Sequence, residues 1–248
     1  MKSSSWQGGK GVIAGGALAA TALLLGAAAD AATSQKLRYR FDSVSDPVTT
    51  VIDDSGKGHT GTVQTANGGE VVPVAGADGL GVQFPEVCAG AGCPLAVITA
   101  ADAASLNPGT APFTFGARVR LTLDDLSADH GSNLVQKGLY DTAQWKLQID
   151  DAATGKPSCV VRTENGADAI KVKSPVGVAD GAWHKVSCRR TSSELILLID
   201  NVPQNSKPIA ASYDISPTGE EVSIGAKSAG NNNDQYHGAL DDVYFNLD

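Results

Sequence analysis

Apolar and polar residues alternate one by one through much of this chain after residue 36, and that period of two constrains the fold more than any other feature. Leu37, Tyr39 and Phe41 alternate with Arg38, Arg40 and Asp42. Phe113, Phe115, Ala117, Val119, Leu121 and Leu123 alternate with Thr114, Gly116, Arg118, Arg120 and Thr122, and Trp145, Leu147 and Ile149 alternate with Lys146, Gln148 and Asp150. Successive side chains of an extended strand point to opposite faces, so each run reads as a half-buried strand. Further strands are expected at Thr60 to Gln64, Leu80 to Phe84, Leu134 to Lys137, Cys159 to Thr163, Trp183 to Arg189, Glu194 to Asp200, Glu221 to Ile224 and Ala239 to Asn246. Helical spacing is nearly absent, and only Ala100 to Leu106 suits a short helix. Gly, Asn and Asp clusters such as DDSGKG, GADG, TENG and SAGNNN punctuate the strands. Many short strands without βαβ alternation predict an all-β, antiparallel two-sheet sandwich.

Residues 1–32 stand apart from this pattern. Lys2 and Lys10 give a positive start, Val12 to Ala29 form an uncharged Ala/Leu run, and Ala29-Asp30-Ala31 supplies a small-x-small cleavage site. The segment reads as a secretory signal, leaving a domain over residues 33–248. No Cys follows the run to anchor a lipid, and nothing later is apolar for long enough to cross a bilayer. The expected product is therefore exported and extracellular, with no membrane insertion. With 19 basic against 27 acidic residues the net charge is −8, which excludes a basic footprint for nucleic acid. The acidity belongs to the domain, because the leader holds only Lys2, Lys10 and Asp30.

All four cysteines lie in the exported part, where oxidising surroundings let disulfides persist. Three connectivities are possible. The short CAGAGC loop favours Cys88 with Cys93, which leaves Cys159 with Cys188. A four-thiolate zinc site lacks its paired CxxC knuckles.

Several words of the sequence occur in a telling order: RFD with DDSGKGHTGTV, then LVQKG and WKLQID, then DGAWHKVSCRRTSSELILLIDNV, then VSIGAK and the closing GALDDVYF. Together they resemble a laminin-G-like domain of the concanavalin A-like lectin/glucanase superfamily, over Leu37 to Asp248. The chain departs from the usual Asp-Gly at Asp200-Asn201. The resemblance implies a jelly roll of two curved antiparallel sheets that binds an extracellular glycan or a surface protein, or serves as an adhesion domain without a sugar ligand. It also implies a calcium candidate. A site common in the superfamily joins an Asp of the closing strand to carbonyls of the opening strand and a nearby loop, and Asp241 in LDDV matches it. Acidic extracellular chains offer the hard oxygen ligands calcium needs.

The superfamily also contains glycoside hydrolases, which need two carboxylates facing each other across a cleft. Their Glu-x-Asp-x-Glu word is missing: Glu70, Glu86, Glu164, Glu194, Glu220 and Glu221 stand singly or adjacent, and Asp124-Asp125 and Asp150-Asp151 are consecutive. No GxSxG occurs, and His59, His130, His184 and His237 form no HExxH. A non-enzymatic binding domain is the expectation, with a glycoside hydrolase as the alternative. His184 reads as structural, bonded to a neighbouring turn, and Trp183 as a core residue. Tyr140 and Tyr236, in loops, are the preferred ligand-facing aromatics. Trp145 is a third candidate, although its register with Leu147 and Ile149 also suits the core.

Overall fold

A computed structural model describes residues 1–5, 8, 33–90, 92–127, 131–150, 153–164, 169–230 and 233–248. Most of the expected signal segment lies outside the described residues, as do His130, Asp151, Asn231 and Asn232. The strands all fall in one unit, Ala32–Asp248, and Met1–Ala31 form another. No helix among the described residues is long and apolar enough to cross a membrane.

The first half of the chain contributes β1 (Ser34–Tyr39), β2 (Thr50–Val51), β3 (Gly61–Ala66), β4 (Val72–Ala75), β5 (Leu80–Gln83), β6 (Leu95–Ala100) and β7 (Phe113–Arg120). Next come β8 (Ser132–Lys137), β9 (Gln144–Ile149), β10 (Pro157–Arg162), β11 (Ile170–Lys173) and β12 (His184–Arg190). The last are β13 (Glu194–Ile199), β14 (Val202–Pro208), β15 (Val222–Ile224) and β16 (Ala239–Leu247). One sheet runs β14-β13-β12-β7-β16-β5-β4, with β1 also paired to β16; the other runs β11-β10-β9-β8-β15-β6-β3-β2. Every strand pairing is antiparallel, which makes the molecule the expected two-sheet jelly-roll sandwich. The short helix appears as a 3-10 turn at Ala104–Leu106.

Each alternating run turns its apolar set inward. Phe113 and Phe115 from β7, Phe245 from β16 and Trp145 from β9 meet between the sheets, where the Trp145 ring lies 4.9 Å from both Phe115 and Phe245. Trp145 is fully buried, and its indole N–H donates to the Leu106 carbonyl at 3.1 Å. Its expected place among the ligand-facing aromatics is therefore corrected: the inward register of Leu147 and Ile149 carries it into the core. Tyr236 is corrected in the same way. It is 1% exposed, packs edge-on to Phe84, and its hydroxyl reaches the Arg120 and Ala239 carbonyls at 3.1 and 3.2 Å. The loop that carries it folds under the sandwich end, so loop position did not mean exposure.

Cys159 on β10 is bonded to Cys188 on β12, across the two sheets, and Cys88 is bonded to Cys93. Five strands went unread in the sequence. Leu95–Ala100 is apolar at nearly every position because both its faces are covered, so it shows no alternation. Val202–Pro208 contains two prolines and is a largely exposed edge strand, where a missing N–H is harmless. The others, β2, β4 and β11, have only two to four residues.

Candidate functional site

With Trp145, Leu147 and Ile149 turned inward, Gln144, Lys146 and Gln148 of β9 must face outward. Cross-strand partners share a face, so register extends the row: Gln136 of β8 stands opposite Lys146, whose other neighbour is Val160 of β10, and Lys171 of β11 follows. Ser158 joins the row beside Gln148, and Arg162 the row beside Gln144. Residues on the outer face of a two-layer sandwich are ordinarily solvated. These are not: Lys146 is 7% exposed, Gln136 1% and Ser158 0%.

Part of this face lines a recess of about 490 Å³ over β9, β10 and β11. Its floor is Gln144, Lys146, Gln148, Val160, Arg162 and Lys171, without Gln136 or Ser158, and its walls carry Leu139 and Tyr140 from the β8–β9 connection, Ala169 before β11, and Lys227, Ser228 and Asp234 before β16. The volume lies within the range of small-ligand sites, about 300–1,000 Å³. Tyr140 is 78% exposed, so its ring stands at the mouth. Gly138 begins the wall at φ +82, and a side chain there would collide with the Ala143 carbonyl, so glycine is required. The Gly138 carbonyl accepts the side-chain amides of Gln136 and Gln144 at 3.2 and 2.9 Å, which fixes both glutamines.

Charge inside the recess is paired. Asp234, held at φ 52, accepts Lys146 at 2.8 Å and lies 3.2 Å from Lys227. Asp150 accepts Lys171 and Gln148, each at 2.7 Å. Burial pulls the Lys146 ammonium below its usual range, and the attraction of Asp234 opposes that pull. Two buried polar atoms on this face, Gln136 Oε1 and Ser158 Oγ, have no hydrogen-bond partner among the described residues.

Of the residues singled out in the sequence, only Tyr140 belongs to this recess. Lys146, Gln148 and the residues opposite them were legible as the polar half of the alternation, but nothing local distinguished an enclosed polar face from a solvated one. Asp241 lies on β16, in the other sheet. Its Oδ2 accepts the amides of Ala77 and Asp78 at 2.9 and 3.2 Å, so it ties the closing strand to the β4–β5 turn. Beside the ladder that pairs β16 with the opening strand, Asp242 accepts Arg38 at 2.7 Å. Burial holds the Asp241 carboxyl above its usual range against the two amide bonds that lower it. Asp42, Asp78, Asp242, Arg38, Arg40 and Arg118 surround a 220 Å³ recess with it. Among the described residues, no three metal-ligating side chains gather closely enough to hold an ion by themselves.

His184 has the structural place its neighbourhood suggested. Desolvation opposes its protonation, but Asp200 at 2.8 Å and Asp180 at 3.2 Å outweigh it and hold the imidazole above its usual pKa. Trp183, expected in the core, is instead half-buried: it precedes β12 and carries the Arg120 guanidinium 5.0 Å from its ring.

Comparison with known proteins agrees with this architecture. No curated protein is a significant match to the chain. Among solved structures, domain 4 of AbnA, a GH43 extracellular arabinanase from Geobacillus stearothermophilus, in complex with arabinotriose, superposes with a TM-score of 0.62 at 15% identity, covering 87% of this chain and 93% of that one. The binding domain of Paraclostridial Mosquitocidal Protein 1 gives 0.61 at 16% identity, over 87% of this chain and 48% of that one. The ligand-binding domain of botulinum neurotoxin serotype D, in complex with N-acetylneuraminic acid, gives 0.57 at 12%, over 86% and 47%. This chain thus spans about half the length of the toxin domains it matches. At these identities the likeness is one of fold. The model of the Laminin_G_3 family, of the concanavalin A-like lectin/glucanases superfamily, matches residues 96–246. That span is more than half of the chain and runs from β6 into β16, and this sandwich therefore belongs to the Laminin_G_3 family.

Proposed function

We propose that this protein is an exported carbohydrate-binding domain without a catalytic role, and that the recess over β9, β10 and β11 receives the glycan. One observation carries the reading: Gln144, Lys146 and Gln148, on the outward face of β9, line the recess and are nevertheless buried. Burying polar groups is costly unless they are bonded, so such a face is useful where a ligand rich in hydroxyls completes it. Sugar complexes among proteins of the same fold, with arabinotriose and with N-acetylneuraminic acid, support the class of ligand. The two disulfides and the leader support export, which N-terminal sequencing near Ala29 to Ala32 of the secreted protein checks. Against hydrolysis stands the need for two facing carboxylates. Of the described side chains lining the recess, Asp234 alone is a carboxylate, and it is held between two lysines.

A glycan array probed with the full chain is the test. Binding to at least one saccharide class is expected, and Tyr140→Ala should weaken it about three- to tenfold by removing the ring at the mouth. An array without signal would sink the reading.

Calcium at Asp241 is a separate proposal, in which backbone carbonyls or water complete the coordination, because the carboxylates around this recess do not gather closely enough by themselves and Arg38, Arg40 and Arg118 compete for them. The expected result is a melting temperature that rises with calcium relative to chelator, a rise that Asp241→Asn abolishes. At free calcium 100 times the dissociation constant the gain is about 2.7 kcal/mol. Equal melts of the wild type in calcium and chelator would remove calcium from the account.

A further inference from the structure

The recess departs from the electrostatics of the molecule that carries it. The chain as a whole has 19 basic and 27 acidic residues, yet the described side chains lining the recess include four cations, Lys146, Arg162, Lys171 and Lys227, against the anion Asp234, with Asp150 bonded to Lys171 as a second carboxylate at its border. A neutral saccharide needs hydrogen-bond donors and acceptors and a ring to stack on; it has no use for a concentration of ammonium groups, whose burial costs free energy. Lys146 bears that cost most plainly, at 7% exposure, and Asp234 stands beside both it and Lys227 as the protein's own carboxylate partner.

We propose that the recess is specific for an acidic sugar, one bearing a carboxylate or sulfate group, which the lysines hold while the floor bonds the hydroxyls. This inference rests on the carbohydrate-binding reading and narrows it. The anionic group meets Lys171 and Lys227, the two lysines of the recess whose side chains keep the most exposure, at 43% and 28%. Hydrogen bonds to charged groups are about twice as strong as neutral ones, and the enclosing walls limit the screening that weakens exposed pairs. Gln144 and Gln148 on the floor offer side-chain amides to sugar hydroxyls, which a bare inorganic anion lacks. Tyr140 at the mouth offers a face to a sugar ring. Cations, floor amides and an exposed ring in one recess describe a ligand that is at once anionic, hydroxylated and cyclic. The negative charge of the whole chain disfavours long polyanions at a distance, which leaves selection to the contacts inside the recess.

The test uses the full chain and matched saccharides that differ in charge alone: trigalacturonic acid against galactotriose, sialyllactose against lactose, and sulfated lactose against lactose. At low salt at least one acidic member should bind about tenfold or more tightly than its neutral counterpart, and the ratio should shrink as salt is raised. The carboxylated and sulfated pairs separately identify which group is held. Lys171→Gln combined with Lys227→Gln should bring the ratio close to one, whereas the Lys171→Arg, Lys227→Arg pair should keep it, with melting temperatures reporting that both variants fold. Neutral members bound as well as the acidic ones would overturn the charge specificity and leave the carbohydrate reading standing. Acidic preference unchanged in the double glutamine variant would overturn this placement of the anionic group. Binding to no member of any pair, charged or neutral, would overturn the proposal and the reading beneath it together.

Discussion

Trp145→Ala is expected to lower the free energy of unfolding by about 3–5 kcal/mol, a large part of the total stability of an ordinary domain. The indole is fully buried between the sheets, in contact with Phe115 and Phe245, and gives its N–H to the Leu106 carbonyl. Removing it takes away transfer free energy, leaves a cavity that the two paired sheets resist closing, and orphans a buried carbonyl at the 3-10 turn. Urea unfolding followed by far-UV circular dichroism measures the loss. Trp145→Phe should cost clearly less, because it refills most of the volume and loses chiefly the N–H bond. Tyr140→Ala, at an exposed ring, should stay within about 0.5 kcal/mol of wild type. A Trp145→Ala protein as stable as the wild type would mean that the ring is not a core element.

Removing the inter-sheet disulfide by Cys159→Ala together with Cys188→Ala should cost about 3–4 kcal/mol, against about 2 for the Cys88 and Cys93 pair. The difference follows from the chain each bond closes, with sequence separations of 29 and 5, since cross-linking acts mainly by restricting the unfolded ensemble. The longer bond also joins β10 of one sheet to β12 of the other. Its loss should therefore raise the rate at which the sheets separate, seen as faster amide exchange of the buried β10 and β12 backbone. The shorter bond closes a surface loop, and its removal should leave that exchange unchanged. Denaturant midpoints of the two double variants decide the order; equal midpoints would show that the distant pair staples nothing the sheets do not already hold.

Strand positions were legible from residue 37 onward because a half-buried strand writes its two faces into alternate residues, as at Phe113 to Arg120 and at Trp145 to Ile149. The disulfide partners were legible because a sequence separation of 5 between Cys88 and Cys93 leaves little other geometry. Where the alternation vanished, so did the reading: Leu95–Ala100 is covered on both faces, and Val202–Pro208 is a polar edge. The recess was illegible for a different reason. Lys146 and Gln148 look in sequence like any solvated strand face, and what encloses them arrives from far along the chain: Asp234 is 88 residues from Lys146, and Lys227 comes from the same distant segment. The sequence by itself therefore determined which residues alternate, hence the all-β sandwich and its core. Only the tertiary structure decided that Trp145 and Tyr236 are core, that Asp241 holds the β4–β5 turn, and that one polar face is roofed by loops, because burial depends on which remote segments come to lie over a strand.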